Sequence, residues 1–127
     1  MLRLLLCLRK KPDVDETAFQ RWLSTEYLAH LAAEADTLKL ARFSVLTHQA
    51  SNAATTIRSR RGTAEPYDAV VEMWWQSRRD MYTAGLTPEG IASDARVIAA
   101  ESDFVDHSHS VAMVTDDEDL GSVPGIG

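Results

Sequence analysis

The chain has a single cysteine, Cys7, among 127 residues. No internal disulfide can form, and a lone thiol suits a reducing compartment, so the expected location is the cytoplasm. Long apolar runs are missing too. None approaches the roughly 20 residues that span a bilayer, which excludes a membrane crossing. At the N-terminus "MLRLLLCLRKK" the apolar core "LLLCL" is shorter than a secretory h-region and basic residues follow it, so no signal peptide is expected. Basic charge is scarce, with 13 Lys and Arg against 19 Asp and Glu; the net charge of −6 disfavours nucleic acid and acidic membrane as partners. The one basic cluster, "IRSRR" at 57–61, has no interleaved aromatic and reads as solvated surface. A P-loop, a dinucleotide fingerprint, a serine-nucleophile elbow and a metalloprotease helix are all absent, so nucleotide-dependent chemistry is not indicated.

What remains is the balance of a soluble globular protein, 45% hydrophobic and 25% charged, of a length that allows one core. We read one domain over 1–116 and an acidic, glycine-containing tail over 117–127. "LRLLLCLR" is halted by "KKPD" and reads as a strand. Asp13 with Glu16 resembles a capping box, and the helix it opens runs to about Ala35. "TLKLARFSVLTHQ" carries Phe43, Val45 and Thr47 at period two, a second strand. The stretch 49–65 is small, polar and without core period, and reads as a mobile loop. "YDAVVEMWWQS" is a third strand, with Ala69, Val71, Met73 and Trp75 on one face and Asp68, Val70, Glu72 and Trp74 on the other. "SRRDMYTAG" forms a short helix, Thr87 and Pro88 open another that ends near Ser102, and "HSHSVAMVT" is the last strand.

The order β-α-β, β-α-β is the split βαβ arrangement, an α+β fold in which a four-stranded antiparallel sheet carries its helices on one face. The other face still bears Val70 and Trp74. Left bare, it makes an apolar patch, so a homodimer is expected, its two sheets facing each other as a barrel with an internal cavity.

Four successive blocks, "LLLCLRKKPDVDETAFQRWL", "EPYDAVVEMWW", "TPEGIASDA" and "ESDFVDHSHSVAMVTDDEDL", resemble the EthD family of the dimeric α+β barrel superfamily, roughly from Leu2 to Leu120. The resemblance implies a ferredoxin-like protomer, a dimer and a pocket in or beside the barrel. It also implies either accessory roles in ether degradation or decarboxylation, cyclisation or isomerisation of aromatic polyketides and lactones, without metal or organic cofactor. One position departs from the family pattern. Such proteins carry a tryptophan followed four residues later by histidine in the first helix; here Trp22 is followed by Glu26, and His30 stands one turn further on.

The candidate site residues are drawn from the first helix and from the sheet face opposite the helices. On a straight helix Phe19, Trp22, Leu23, Glu26, Tyr27 and His30 share one face. Glu26 and His30 then make an acid–base pair in apolar surroundings, suited to enolising or decarboxylating a phenolic or β-keto substrate. Both groups solvated at the sheet edge is the structural alternative. Glu72, between Val70 and Trp74, is the third catalytic candidate, and it needs a cation: Arg42 first, His48 next. A salt bridge at a dimer interface explains it equally. Trp22, Tyr27 and Trp74 are expected to contact the substrate with Arg42, His48 and His109. His107 and His109 have a metal-ligand spacing, but no cysteine or acidic pair stands at a confirming distance, so no metal or cofactor is expected.

The function expected is that of a cofactor-independent enzyme acting on a small aromatic or polyketide-like acid or ketone: a decarboxylase, a cyclase and dehydratase, or an isomerase. The alternative is a non-catalytic protein of a degradation pathway that holds a small molecule or supports a partner enzyme.

Overall fold

The computed structural model describes residues 1–116; the tail expected over 117–127 lies outside the described residues. Strand β1 (Leu2–Leu8) leads into α1 (Glu16–Trp22), a π-helical turn (Leu23–Tyr27) and α2 (Leu28–Glu34), one continuous rod. Its N-cap is Asp15, whose carboxylate accepts from the Ala18 amide at 3.3 Å; the capping-box spacing had pointed to Asp13.

The π turn decides which side chains face the core. It closes i→i+5 bonds and so takes in one residue more than an α turn, which swings everything after it by about 100°. Phe19 and Trp22 are buried before it, Leu23 and Tyr27 at its two ends and Leu31 after it, while Glu26 and His30 are exposed. Without the extra residue the inward stripe would continue through Glu26 and His30, burying a carboxylate and an imidazole, with Tyr27 at its edge and Leu31 outside it. The hydroxyls of Ser24 and Thr25 donate back to the carbonyls of Gln20 (3.0 Å) and Arg21 (2.6 Å), bonds of the kind that bend a helix locally.

Strands β2 (Arg42–Thr47), β3 (Ala69–Trp75) and β4 (Val111–Asp116) complete an antiparallel sheet in the order β2-β3-β1-β4. The expected loop over 49–65 is instead mostly helix: α3 (Asn52–Arg61) starts at Ser51, whose hydroxyl accepts from the Ala54 amide, and ends at the left-handed Gly62. It buries none of its residues, which is why no core period marked it. Helices α4 (Arg78–Leu86) and α5 (Pro88–Glu101) follow, α5 capped by Thr87 with Pro88 in its first turn, as the sequence suggested. Gly90 allows the close approach of α4 and α5, since a Cβ there would stand 1.6 Å from the carbonyl oxygen of Ala84. The last strand is shorter than expected. His107–His109 form a 3₁₀ turn ahead of it, so the two histidines do not alternate on a strand face.

One sheet face packs on the helices. Leu2, Leu8, Val71, Met73 and Trp75 meet Phe19, Trp22, Leu23, Leu31 and Val97 in the core, and the Trp75 indole N–H donates to the Leu38 carbonyl at 2.7 Å. Among the described residues, the other face carries no helix. Cross-strand register sets Arg42, Trp74, Arg3 and Thr115 in one row across it, Ser44, Glu72, Leu5 and Met113 in the next, and Leu46, Val70, Cys7 and Val111 in a third. Trp74 and Trp75 therefore point to opposite sides, as their adjacency on a strand requires.

Candidate active site

The expected pair, Glu26 and His30, sits on the outer surface of the first rod beside Ala29 and Ala33, with no hydrogen bond or ion pair between them among the described residues. The reason is the π turn. Both side chains lie in solvent, outside the core and away from any apolar enclosure.

The open sheet face gathers part of the second expected group. The Glu72 carboxylate pairs with Arg3 at 3.6 Å, in place of the Arg42 or His48 expected from the strand pattern, because Arg3 lies on the adjacent central strand. Arg3 and Arg42 both lie over the Trp74 ring, 4.9 and 4.7 Å from its centroid, and Trp74 is only 8% exposed on the open sheet face. His48 is not with them. It lies at the far end of β2, beside Tyr67 and Pro66.

On the helix side the structure brings together groups that the sequence reading left apart. Trp22 stacks on Phe104 with ring centroids 4.6 Å apart and lies 4.8 Å from Tyr27, fixing the Tyr27 ring within the core. The Tyr27 hydroxyl donates to Glu101 Oε2 at 2.6 Å, and Glu101 Oε1 meets His107 Nε2 at 2.9 Å. Glu101 is 4% exposed and Tyr27 wholly buried. Burial, and then the neighbouring Glu101 carboxylate, push the Tyr27 hydroxyl far above its ordinary range, so it stays protonated and keeps donating. With Tyr27 on one carboxylate oxygen, the other holds His107 by Nε2, and Nδ1 has no protein partner among the described residues. An imidazole held by a carboxylate in this way is oriented as a base or acid through its second nitrogen.

Glu101 and His107 line a cavity of about 320 Å³ between α5 and the sheet, walled by Leu4, Leu6, Met73 and Val97. Asp94 stands at its edge; the residue is exposed overall, but partial burial of its carboxyl raises the pKa. Of the two expected aromatic contacts in the first helix, Tyr27 reaches this cluster through its hydroxyl and Trp22 supports it from behind. His109 is turned away, exposed and bonded to Asp106 at 2.7 Å. Glu101 and Asp94 were missed in the sequence, and His107 was singled out only with His109 for their spacing, although a signal was present: Gly90, Asp94, Val97 and Glu101 recur at helical spacing, a stripe on which two carboxylates interrupt small and apolar residues. Among the described residues, no group of three or more His, Cys, Asp or Glu is placed to hold a metal ion.

The architecture is that of known ferredoxin-like proteins. An ethyl tert-butyl ether degradation (EthD) family protein from Bacillus halodurans superposes with a TM-score of 0.60 at 17% identity, covering 93% of this chain and 100% of that one. HapK from Hahella chejuensis gives 0.58 at 17% identity, over 98% and 100%. A dimeric protein of unknown function and ferredoxin-like fold from Bacteroides fragilis gives 0.57 at 9% identity, over 91% and 95%. No curated protein matches the chain. The family model of the EthD domain matches residues 11–108, most of the folded region, and the chain belongs to the EthD family.

Proposed function

We propose that this protein is a cofactor-independent enzyme of small-molecule proton transfer, a lyase or isomerase acting on an enolisable ketone or phenol in the cavity between α5 and the sheet. The observation that carries the reading is the chain Tyr27–Glu101–His107, in which a buried carboxylate fixes an imidazole at the wall of an apolar cavity. Glu101 holds a proton on His107 Nε2, which leaves Nδ1 to take a proton from carbon or oxygen of the substrate and return it elsewhere. Glu101 is buried and the apolar walls strengthen the contacts made on the cavity side of the imidazole, whose side chain is 46% exposed. Tyr27 is a positioning residue, since it touches Glu101 and not the cavity.

The same reading makes the protein a homodimer through its open sheet face. Leu46, Val111 and Met113 are 50%, 43% and 47% exposed there, and a dimer of two such faces removes the patch. Arg3, Glu72, Trp74 and Arg42 then belong to the interface and not to the reacting site. Its place of action is the cytoplasm, in keeping with the single thiol; among the described residues no helix is long and apolar enough to cross a membrane.

A non-catalytic binding or accessory protein is the second reading, favoured by the exposed Glu26 at the position where the family pattern has histidine. Deuterium exchange at the central carbon of 2,4-decanedione in D₂O, followed by proton NMR, separates the two. An enzyme accelerates exchange over buffer, and His107→Ala removes about 10²-fold or more of that acceleration, the usual share of a positioned general base. A wild-type rate equal to buffer, with saturable binding of the diketone, supports the binding protein.

A further inference from the structure

We infer that the cavity at Glu101 and His107 is one end of a longer trough, and that the trough takes a long, uncharged lipophile lying along α5, its oxygen-bearing end at His107 and its hydrocarbon end between Trp75, Met81 and Gly85. The inference rests on the reading of Glu101 and His107 as the reacting end.

A second cavity of about 330 Å³ lies between α4, α5 and the sheet, and it shares Leu4 and Asp94 with the first. An apolar cavity of about 150 Å³ is enough for benzene, so each chamber holds more than one ring. Each stands at the lower end of the range of pockets that enclose a whole organic ligand, and the two together lie well inside it. Their polarity is one-sided. Glu101 and His107 stand in one chamber only, and the other is walled by Leu38, Trp75, Met81 and Ala84 with Asp94 as its sole titratable group. A polar head and an apolar tail are thereby given opposite ends.

The charges exclude an anion. Asp94 and Glu101 are the acids lining the trough, and His107, the sole base, is committed through Nε2 to Glu101. Asp94 forms no hydrogen bond or ion pair among the described residues, so no protein cation offsets it. A carboxylate or phosphate ligand meets two like charges, one of them buried, whereas an alcohol or ketone brings no charge against them. The entrance also suits a lipophile: Val114 of β4 and Ile91 and Ile98 of α5 are 56%, 55% and 49% exposed along the trough.

The test is binding of 1-butanol, 1-hexanol, 1-octanol, 1-decanol and octanoate to the full chain, by calorimetry and by quenching of tryptophan fluorescence. The trough predicts an affinity that rises roughly two- to fourfold per methylene and octanoate at least tenfold weaker than 1-octanol. Gly85→Leu fills the far chamber from a position with no atom within 4 Å of the new Cβ, and leucine suits a helix better than glycine. It should leave 1-butanol unchanged and abolish the gain from longer chains. An affinity flat from butanol to decanol, octanoate equal to octanol, or full decanol affinity in Gly85→Leu overturns the trough. His107→Ala with unchanged diketone exchange overturns the reacting end instead, and leaves the chain-length dependence as the independent measure of the trough.

Discussion

The Tyr27 hydroxyl reaches Glu101 across 74 residues of sequence and 2.6 Å of space, joining the first helical rod to the last. The π turn at Leu23–Tyr27 brings Tyr27 from the edge of the inward face to its centre and carries Glu26 outward. Tyr27→Phe keeps the ring and removes the donor. It should cost about 1.5–3 kcal/mol, the range for a hydrogen bond to a charged group, measured by urea unfolding. The pH dependence has a sign as well. Since burial first, and the Glu101 carboxylate after it, raise the Tyr27 pKa above its ordinary 10.0, the contribution of the protonated, buried hydroxyl is complete below pH 10 and fades as the pH rises beyond it, because the unfolded chain ionises first. Wild-type protein should lose stability there more steeply than Tyr27→Phe; parallel curves contradict a hydroxyl buried beside Glu101.

Acid titrates a second link between the rods. Glu34 accepts two hydrogen bonds from Arg96, at 2.6 and 2.8 Å, and one from Ser93, which hold its pKa at about 2 against an ordinary 4.5. The stabilisation is present above pH 4.5 and lost as the pH falls towards 2. Glu34→Gln should be less stable than wild type at pH 6 and should flatten the acid limb of thermal unfolding between pH 4.5 and 2. An unchanged acid limb would show that the carboxylate is not held by Arg96.

Gly90→Ala tests the contact of α4 with α5. The added methyl meets the backbone oxygen of Ala84, which cannot turn aside as a side chain can, so the helices must separate. A loss of about 1–3 kcal/mol or more is expected despite alanine's better helix propensity. A gain in stability would mean that the helices are not packed this closely.

Leu46→Glu tests the open sheet face. Leu46 is half-exposed in the single chain, so folding should survive the change, while two copies of the charge in a face-to-face dimer leave buried carboxylates without partners. Light scattering at micromolar concentration should report a dimer for the wild type and a folded monomer for the variant. A wild-type monomer contradicts the dimer.

The fold was largely legible because its strands state their periods: Phe43 and Val45, and Val71, Met73 and Trp75, reach the core as alternation requires. Thr87 and Pro88 likewise marked the start of α5 by local chemistry alone. The site was harder to read. A helix wheel assumes 3.6 residues per turn throughout, and one π turn keeps Tyr27 inside, brings Leu31 in and turns Glu26 and His30 out. Glu72 was placed on the right face, but which cation it meets depends on strand order: β1 lies beside β3 and brings Arg3 within reach. His107 and Glu101 are six residues apart on a helix end and a 3₁₀ turn, a geometry that no simple period announces.

Diketone exchange measured in two pairs of variants tests the central claim most directly. If proton transfer belongs to the buried chain, Glu101→Gln and His107→Ala lose the acceleration while Glu26→Gln and His30→Ala keep it. The reverse result, with the surface pair essential and the buried pair dispensable, would contradict the account.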